Sequence, residues 1–350
     1  MRIAQIAPLT EAVPPALYGG TERVISWLTE ELVSLGHDVT LFASGDSATS
    51  AKLEAMWPRA LRLDGTVRDP YALHMMMIEE VFRRADTFDL MHFHLDYLAF
   101  SLMARQPTPF LTTLHGRLDL PEHQALFQTF SHSPIVSVSK AQRRPILKAN
   151  WIGNAPHGLP ADLLLPQPAR PAYLAFLGRI SPEKRVDRAI RIARRCQLPL
   201  KIAAKVDRAD ADYFETVRPL IESPGVDFIG EIGDDRKAEF LSGAIALLVP
   251  IDWPEPFGLV MIEAMACGAP VVAFNRGSVP EIVEDGVTGF IVEDETSAVA
   301  ALHEIGALSR RAIRRRFEER FTARRMAEDY LDIYRQLIDG RPAQPRLAKV

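Results

Sequence analysis

Short apolar runs of the kind buried inside a parallel sheet recur along this chain. Each is followed by a stretch with helical periodicity, and that alternation leaves few folds open. In the first half Arg2 to Ala7, His37 to Ala43, Asp89 to His94, Phe110 to Leu114 and Ile135 to Val138 read as strands. In the second half Ala172 to Leu177, Leu200 to Ala204, Val226 to Ile229, Ala244 to Val249, Pro270 to Phe274 and Gly289 to Val292 do the same. Strand, crossover helix and parallel strand in succession predict an α/β architecture with sheets covered on both faces. Open sheets of this type bind ligands beyond the carboxyl ends of their strands, so the residues just after each run are the ones to read for chemistry.

Two sheets are expected rather than one, because 350 residues exceed what a single core ordinarily supports. Asn150 to Ala169 is rich in proline, glycine and alanine and has little periodicity, as an interdomain connection does. A boundary near Leu165 gives a first domain over 1–165 and a second over 166–325, followed by a helical segment over 326–340 and a tail over 341–350. The net charge of -4 carries no electrostatic footprint for nucleic acid. No apolar stretch is long enough to span a bilayer, and the apolar run at the N-terminus is too short for a signal peptide. With Cys196 and Cys267 as the only cysteines, neither a disulfide framework nor a four-cysteine zinc site can form. A cytoplasmic protein is expected.

The densest chemistry follows the Ala244 to Val249 run. Trp253-Pro254 and Glu255-Pro256 keep the backbone extended, and a helix is expected to open near Gly258-Leu259 and stop at Gly268. Glu255 then lies in the loop, and Glu263 lies roughly 7 Å along the helix axis at 1.5 Å per residue. The amides of Phe257, Gly258 and Leu259 fall between the two acids, where a helix start attracts anions, and phosphate above all. A diphosphate there leaves Glu263 beside a ribose diol and Glu255 facing the group on the far side, a geometry that suits a nucleoside diphosphate sugar. The alternative is an ordinary helix with a solvated glutamate. Against it, Glu263 is the only charge between Leu259 and Gly268, in a segment apolar nearly all round.

Other strand ends carry weaker signals. Tyr18-Gly19-Gly20-Thr21 opens a helix with Thr21 as N-cap. The Gly19-Gly20 pair allows close approach to a ligand, although a tight turn explains it equally well. His94, His115 and Ser139 all fall at strand ends. An ordinary core histidine accounts for His94 and a helix cap for Ser139, whereas Gly116 lets the backbone at His115 come near a substrate. His92-x-His94 has no third metal ligand at sensible spacing. Ser181-Pro182 is expected to start a helix with Lys184 in its first turn. Basic residues there oppose the helix dipole, so Arg179 and Lys184 fit partners of a bound anion, with a solvated charged turn as the alternative. Asp210-Ala-Asp212 matches a metal-diphosphate pattern but reads as an N-cap and a solvated face, far from any strand end.

Gly178-Arg-Ile-Ser-Pro-Glu-Lys184, the E-x7-E element from Glu255 to Glu263 with Ala264-Met-Ala-Cys-Gly268, and Gly277-Ser-Val-Pro-Glu281 together resemble the family 4 retaining glycosyltransferases. Gly19-Gly20 and Thr113-Leu-His115-Gly116 are similar to that family's acceptor-side elements. The resemblance implies the GT-B arrangement, two Rossmann-like domains with parallel sheets facing across a cleft and a final helix crossing back to the first domain. It implies that Arg179 and Lys184 neutralise the donor diphosphate and that Glu263 holds the ribose. Glu255 and the amides of Phe257, Gly258 and Leu259 contact the transferred sugar, His115 lies beside it, and Gly19 and Gly20 border the phosphates and acceptor. No metal and no cofactor is implied, since fixed positive charge meets the leaving group. The substrates are a nucleoside diphosphate sugar and a hydroxyl acceptor, and a lipid acceptor would bring contact with a membrane surface. Pro156-His157-Gly158 departs from the family's usual Pro-Asn-Gly. A nucleotide-sugar epimerase and a non-catalytic nucleotide-sugar-binding protein are the rival readings.

Overall fold

The structure is a computed structural model that describes residues 1–16 and 19–340. The chain divides into two compact units, Met1–Gly158 together with the chain from Ala323 onward, and Leu159–Thr322. The break therefore falls before Leu165, and the closing helix Ala323–Ile338 is part of the first unit from its first residue. The reason is local. Trp151–Asn154, read as linker, is the edge strand of the first sheet, and the Leu159 amide donates to Phe321 O at 3.0 Å within the second unit. The tail 341–350 lies outside the described residues.

The first unit is a seven-stranded sheet in the order β3-β2-β1-β4-β5-β6-β7. Its strands are β1 Arg2–Ile6, β2 Asp38–Ser44, β3 Lys52–Trp57, β4 Leu90–Phe93, β5 Phe110–Thr113, β6 Ile135–Ser137 and β7 Trp151–Asn154, paired in parallel throughout. The interior strands β1, β2 and β4 to β6 are apolar runs, as expected. The edge strands β3 and β7 are half-exposed and lack that signature. Gly153 in β7 has a packing reason, since a Cβ there would sit 2.4 Å from Ile333 Cδ1 of the closing helix. That helix buries Tyr330 and Tyr334 completely.

The second unit is a six-stranded parallel sheet in the order β10-β9-β8-β11-β12-β13. Here β8 is Tyr173–Arg179, β9 Leu200–Lys205, β10 Val226–Gly230, β11 Ala244–Val249, β12 Val271–Phe274 and β13 Gly289–Val292. Leu174, Phe176, Ile202, Leu248 and Val272 from the sheet pack with Ile190 and Ala193 of the Val186–Arg195 helix in one apolar core. In each sheet the order runs outward both ways from a central pair, β1/β4 in the first and β8/β11 in the second. Such a reversal opens a crevice at the carboxyl ends of the central strands.

Candidate active site

In the second unit, the residues singled out by sequence gather around the β8/β11 reversal. Arg179 is the last residue of β8, so it is part of the strand. The helix expected from Ser181 begins only at Val186, because Arg185 adopts a left-handed conformation with φ 54°. Lys184 therefore lies in a turn, its amide donating to Ser181 O at 3.1 Å, and a first helical turn does not hold it. That turn is stitched to the loop after β11: the Asp252 amide donates to Glu183 O at 2.9 Å, and Arg185 pairs with Asp252 at 3.0 Å.

These stitches bring Lys184 Nζ into an ion pair with Glu255. Trp253 Nε1 donates to the same carboxylate at 2.9 Å, and the ammonium lies 5.0 Å from the Trp253 ring centroid. Arg179 pairs with Glu183 at 2.5 Å and with Asp210 at 3.1 Å. Asp210 does stand at the start of the Ala211–Ile221 helix, but its side chain caps nothing. It reaches the end of β8 instead, so the expectation that it lies far from any strand end is corrected. The cause is the pairing of β9 with β8, which sets Lys205 opposite Arg179 and brings the loop after β9, with Asp210, to the same strand ends.

The helix after β11 runs Leu259–Ala266, close to the expected span, with Gly258 at its N-cap in the left-handed region at φ 84°. Phe257 is buried edge-on to Phe321 at 6.2 Å, and its carbonyl accepts from Ser278 Oγ at 2.7 Å. The Ser278 amide donates to Glu255 O at 3.0 Å. A Cβ on Gly277, φ 55°, would fall 2.3 Å from Glu255 O, so this glycine is what lets the Gly277-Ser278 turn lie on the Glu255 backbone. Glu263 is buried with only 4% of its surface exposed, as an apolar helix requires. Its partner is Lys237 at 2.6 Å, which also pairs with Asp234 at 3.2 Å. Sequence reasoning missed Lys237, because nothing in the spacing links a lysine of the Asp234–Ser242 helix to the E-x7-E element.

In the first unit, Gly19 is at the N-cap of the Gly20–Ser34 helix, with Thr21 already inside it, so Thr21 is not the cap. A Cβ on Gly19 would meet Pro15 Cβ at 2.8 Å, which gives this glycine a packing role. Tyr18 lies outside the described residues. His115 follows β5, and its Nε2 is 2.8 Å from His94 Nδ1. His94 Nε2 is 2.8 Å from Gln5 Oε1, and the Gln5 amide nitrogen donates to the Tyr334 hydroxyl at 3.1 Å. Tyr334 lies 2.6 Å from His92 Nδ1, and His92 Nε2 lies 2.7 Å from Thr113 Oγ1, itself 2.9 Å from the Tyr330 hydroxyl. The His157 ring stacks on His115 with centroids 5.2 Å apart. Burial holds His92, His94 and His157 well below the usual imidazole range, and pushes His115 down to about 3. All four rings are therefore neutral at neutral pH.

Both ring nitrogens of His92 and His94 are engaged in these hydrogen bonds, so the His-x-His pair is built as part of a network. The same holds for Ser139, whose hydroxyl accepts from the Gln142 amide nitrogen at 3.1 Å. The Gln142 side chain donates in turn to Leu114 O at 2.8 Å and Gly116 O at 2.9 Å, fixing the main chain on both sides of His115. Gln5, Gln142, Tyr330 and Tyr334 were not singled out from sequence, and Thr113 and His157 entered only within longer motifs, with no role of their own. They are ordinary core residues by pattern, and only the fold assembles them.

Two family models cover most of the chain: the one described as Glycosyltransferase Family 4 matches residues 18–152, and the one described as Glycosyl transferases group 1 matches residues 165–324. This chain belongs to the family 4 glycosyltransferases. Among relatives of the family, D-inositol 3-phosphate glycosyltransferase of Saccharomonospora viridis is 32% identical over 200 residues, 51% of this chain and 44% of that protein. The chain thus matches only about half the length of such curated relatives. Sucrose-phosphate synthase from Thermosynechococcus elongatus superposes with a TM-score of 0.77 at 21% identity, covering 97% of this chain and 99% of that one. HepE from Anabaena, solved in complex with UDP and glucose, gives a TM-score of 0.72 at 19% identity, covering 95% and 98%. These likenesses place both units in the GT-B fold of the glycosyltransferases. No helix among the described residues is long and apolar enough to cross a membrane.

Proposed function

We propose that this family 4 glycosyltransferase moves a hexose from a nucleoside diphosphate sugar to a hydroxyl acceptor, with retention and without a metal ion. The observation that carries the reading is the convergence of Arg179, Lys184, Glu255 and the Gly258 helix start on the β8/β11 reversal, where open parallel sheets take their ligands. A diphosphate at this helix tip gains from the amides of Phe257, Gly258 and Leu259. Arg179 and Lys184 then offset the charge that grows on the departing nucleotide, the electrostatic form of catalysis. In the free protein both cations are paired with carboxylates, so donor binding is an exchange of anionic partners. Glu255, released from Lys184, accepts from hydroxyls of the transferred sugar, and Glu263 accepts from the ribose diol.

His115, Gly19 and Gly20 supply the sugar and acceptor side. The acceptor hydroxyl attacks from the face of the leaving group, and a phosphate oxygen takes its proton. The Anabaena neighbour solved with UDP and glucose supports a nucleotide-sugar donor. A lipid acceptor would bring this protein to a membrane surface, and a cytoplasmic site of action fits a nucleotide-sugar substrate. A thermal-shift panel of nucleoside diphosphates, followed by their sugars, tests the reading: one nucleotide should raise Tm clearly, by about 2.7 kcal/mol of stabilisation at a hundredfold excess over Kd. A panel without any shift would sink it.

A further inference from the structure

The first sheet has its own reversal between β1 and β4, and one buried amide spans it. Gln5 on β1 is fully buried opposite His92 on β4, and its two polar ends touch His94 and Tyr334. We propose that Gln5 sets the direction of every hydrogen bond in this relay and so holds His115 as its Nε2–H tautomer, with a bare Nδ1 for a hydroxyl of the sugar. The inference rests on the proposed function only in the identity of that hydroxyl.

The direction follows from what each group can do. Gln5 Oε1 only accepts, so His94 Nε2 carries the proton. A neutral ring has one proton, so His94 Nδ1 accepts and His115 Nε2 donates to it. His115 is then left with no proton on Nδ1. On the other arm, the Gln5 amide nitrogen donates to Tyr334, Tyr334 donates to His92 Nδ1, and His92 Nε2 donates to Thr113, which donates to Tyr330. Every hydrogen bond of the relay then has one donor and one acceptor. Turning the Gln5 amide over would reverse every proton along both arms, so this side chain is the one that chooses between two self-consistent patterns.

The relay ends on an unsatisfied group. His115 Nδ1 is buried and, among the described residues, has no hydrogen-bond partner. A buried acceptor without a donor is costly, and a hydroxyl is the group that satisfies it. His157 stacked on the ring and Gln142 holding the flanking carbonyls limit how His115 can turn to find another partner. Gln5 is thus a positioning residue that acts through His94 on His115.

The test starts with the unaltered full chain carrying 15N-labelled imidazoles, read by NMR. His115 should be protonated at Nε2 and bare at Nδ1. A nucleoside diphosphate sugar should move the Nδ1 resonance, whereas the nucleoside diphosphate alone should leave it in place. Gln5→Met should lower kcat about tenfold, on the scale of a lost outer-shell orienter, with the donor KM within about twofold. In a His115→Ala background the same change should cost less than about twofold, because the two residues act as one unit. A proton on Nδ1 in the unaltered protein overturns the proposal, as does a full tenfold loss on top of His115→Ala. So does a resonance that responds equally to nucleotide and nucleotide sugar. If no donor were turned over, the proposed function would fail and the sugar contact with it, while the wild-type spectrum would still decide whether Gln5 directs the relay.

Discussion

Two glutamates of one motif meet different neighbours here, and the difference decides how each should be probed. Glu263 shares its buried site with Lys237, so removing its carboxylate with alanine would strand an ammonium and confound folding with binding. Glu263→Gln keeps the volume and is expected to weaken nucleoside diphosphate binding by about 1.5–3 kcal/mol, the scale of a lost charged hydrogen bond. Calorimetric titration checks this, and unchanged affinity would remove Glu263 from the ribose site. The buried rings His92, His94, His115 and His157 make a second expectation. They stay neutral when folded, while the unfolded chain takes up protons near pH 6.5. Their contribution is intact above about pH 6.5 and declines as pH falls, by about 1.4 kcal/mol per unit for each ring. Glu22, whose carboxyl burial pushes up, opposes the trend. Melting curves between pH 7.5 and 5 should show the loss, and His157→Asn should flatten it by about a quarter. At this scale the acids, the cations and His115 were legible because they punctuate apolar runs. Lys237, Gln5 and Tyr334 were not, since a buried group's partner is chosen by tertiary packing.

Short turns placed against strand ends carry the organisation of the second unit. The left-handed Arg185 delays the Val186–Arg195 helix and frees the 181–185 turn to lie along the loop after β11. The Gly277-Ser278 turn supports that loop from the other side. Gly277→Ala would push a methyl into the Glu255 backbone, so the loop must shift. The expected outcome is a Tm lowered by several degrees, about 1–2 kcal/mol for an alanine forced into left-handed space, and a turnover reduced more than donor affinity. Steady-state kinetics beside a thermal melt separates the two, and full activity would show that Glu255 needs no such support. Interior strands and the Leu259–Ala266 helix could be read from sequence because burial on both faces leaves a continuous apolar signature. Edge strands β3 and β7 could not, since half their surface faces solvent and their composition resembles a loop.

On the scale of the whole molecule, the two-sheet α/β organisation was legible from length and alternation. The exact seam was not, because β7 and the start of the closing helix are too short or too polar to announce where they belong. The proposed metal-free transfer would be a property of the assembled enzyme and is tested on it. A chelator should leave the rate within about twofold, since Arg179 and Lys184 are assigned the role a cation would otherwise play. Strong inhibition would return attention to Asp210 and Asp212.

The closing helix has one more consequence. Because Ala323–Ile338 completes the first unit, the ribosome releases all of the second unit before the first can finish folding. Tyr330 and Tyr334 are made after the whole second unit, and both belong to the His92 arm of the relay, where Tyr334 meets Gln5. Until they dock, the nascent chain has its histidines in sequence but not their proton order, so competence for chemistry should arrive only after the closing helix has been made and has docked.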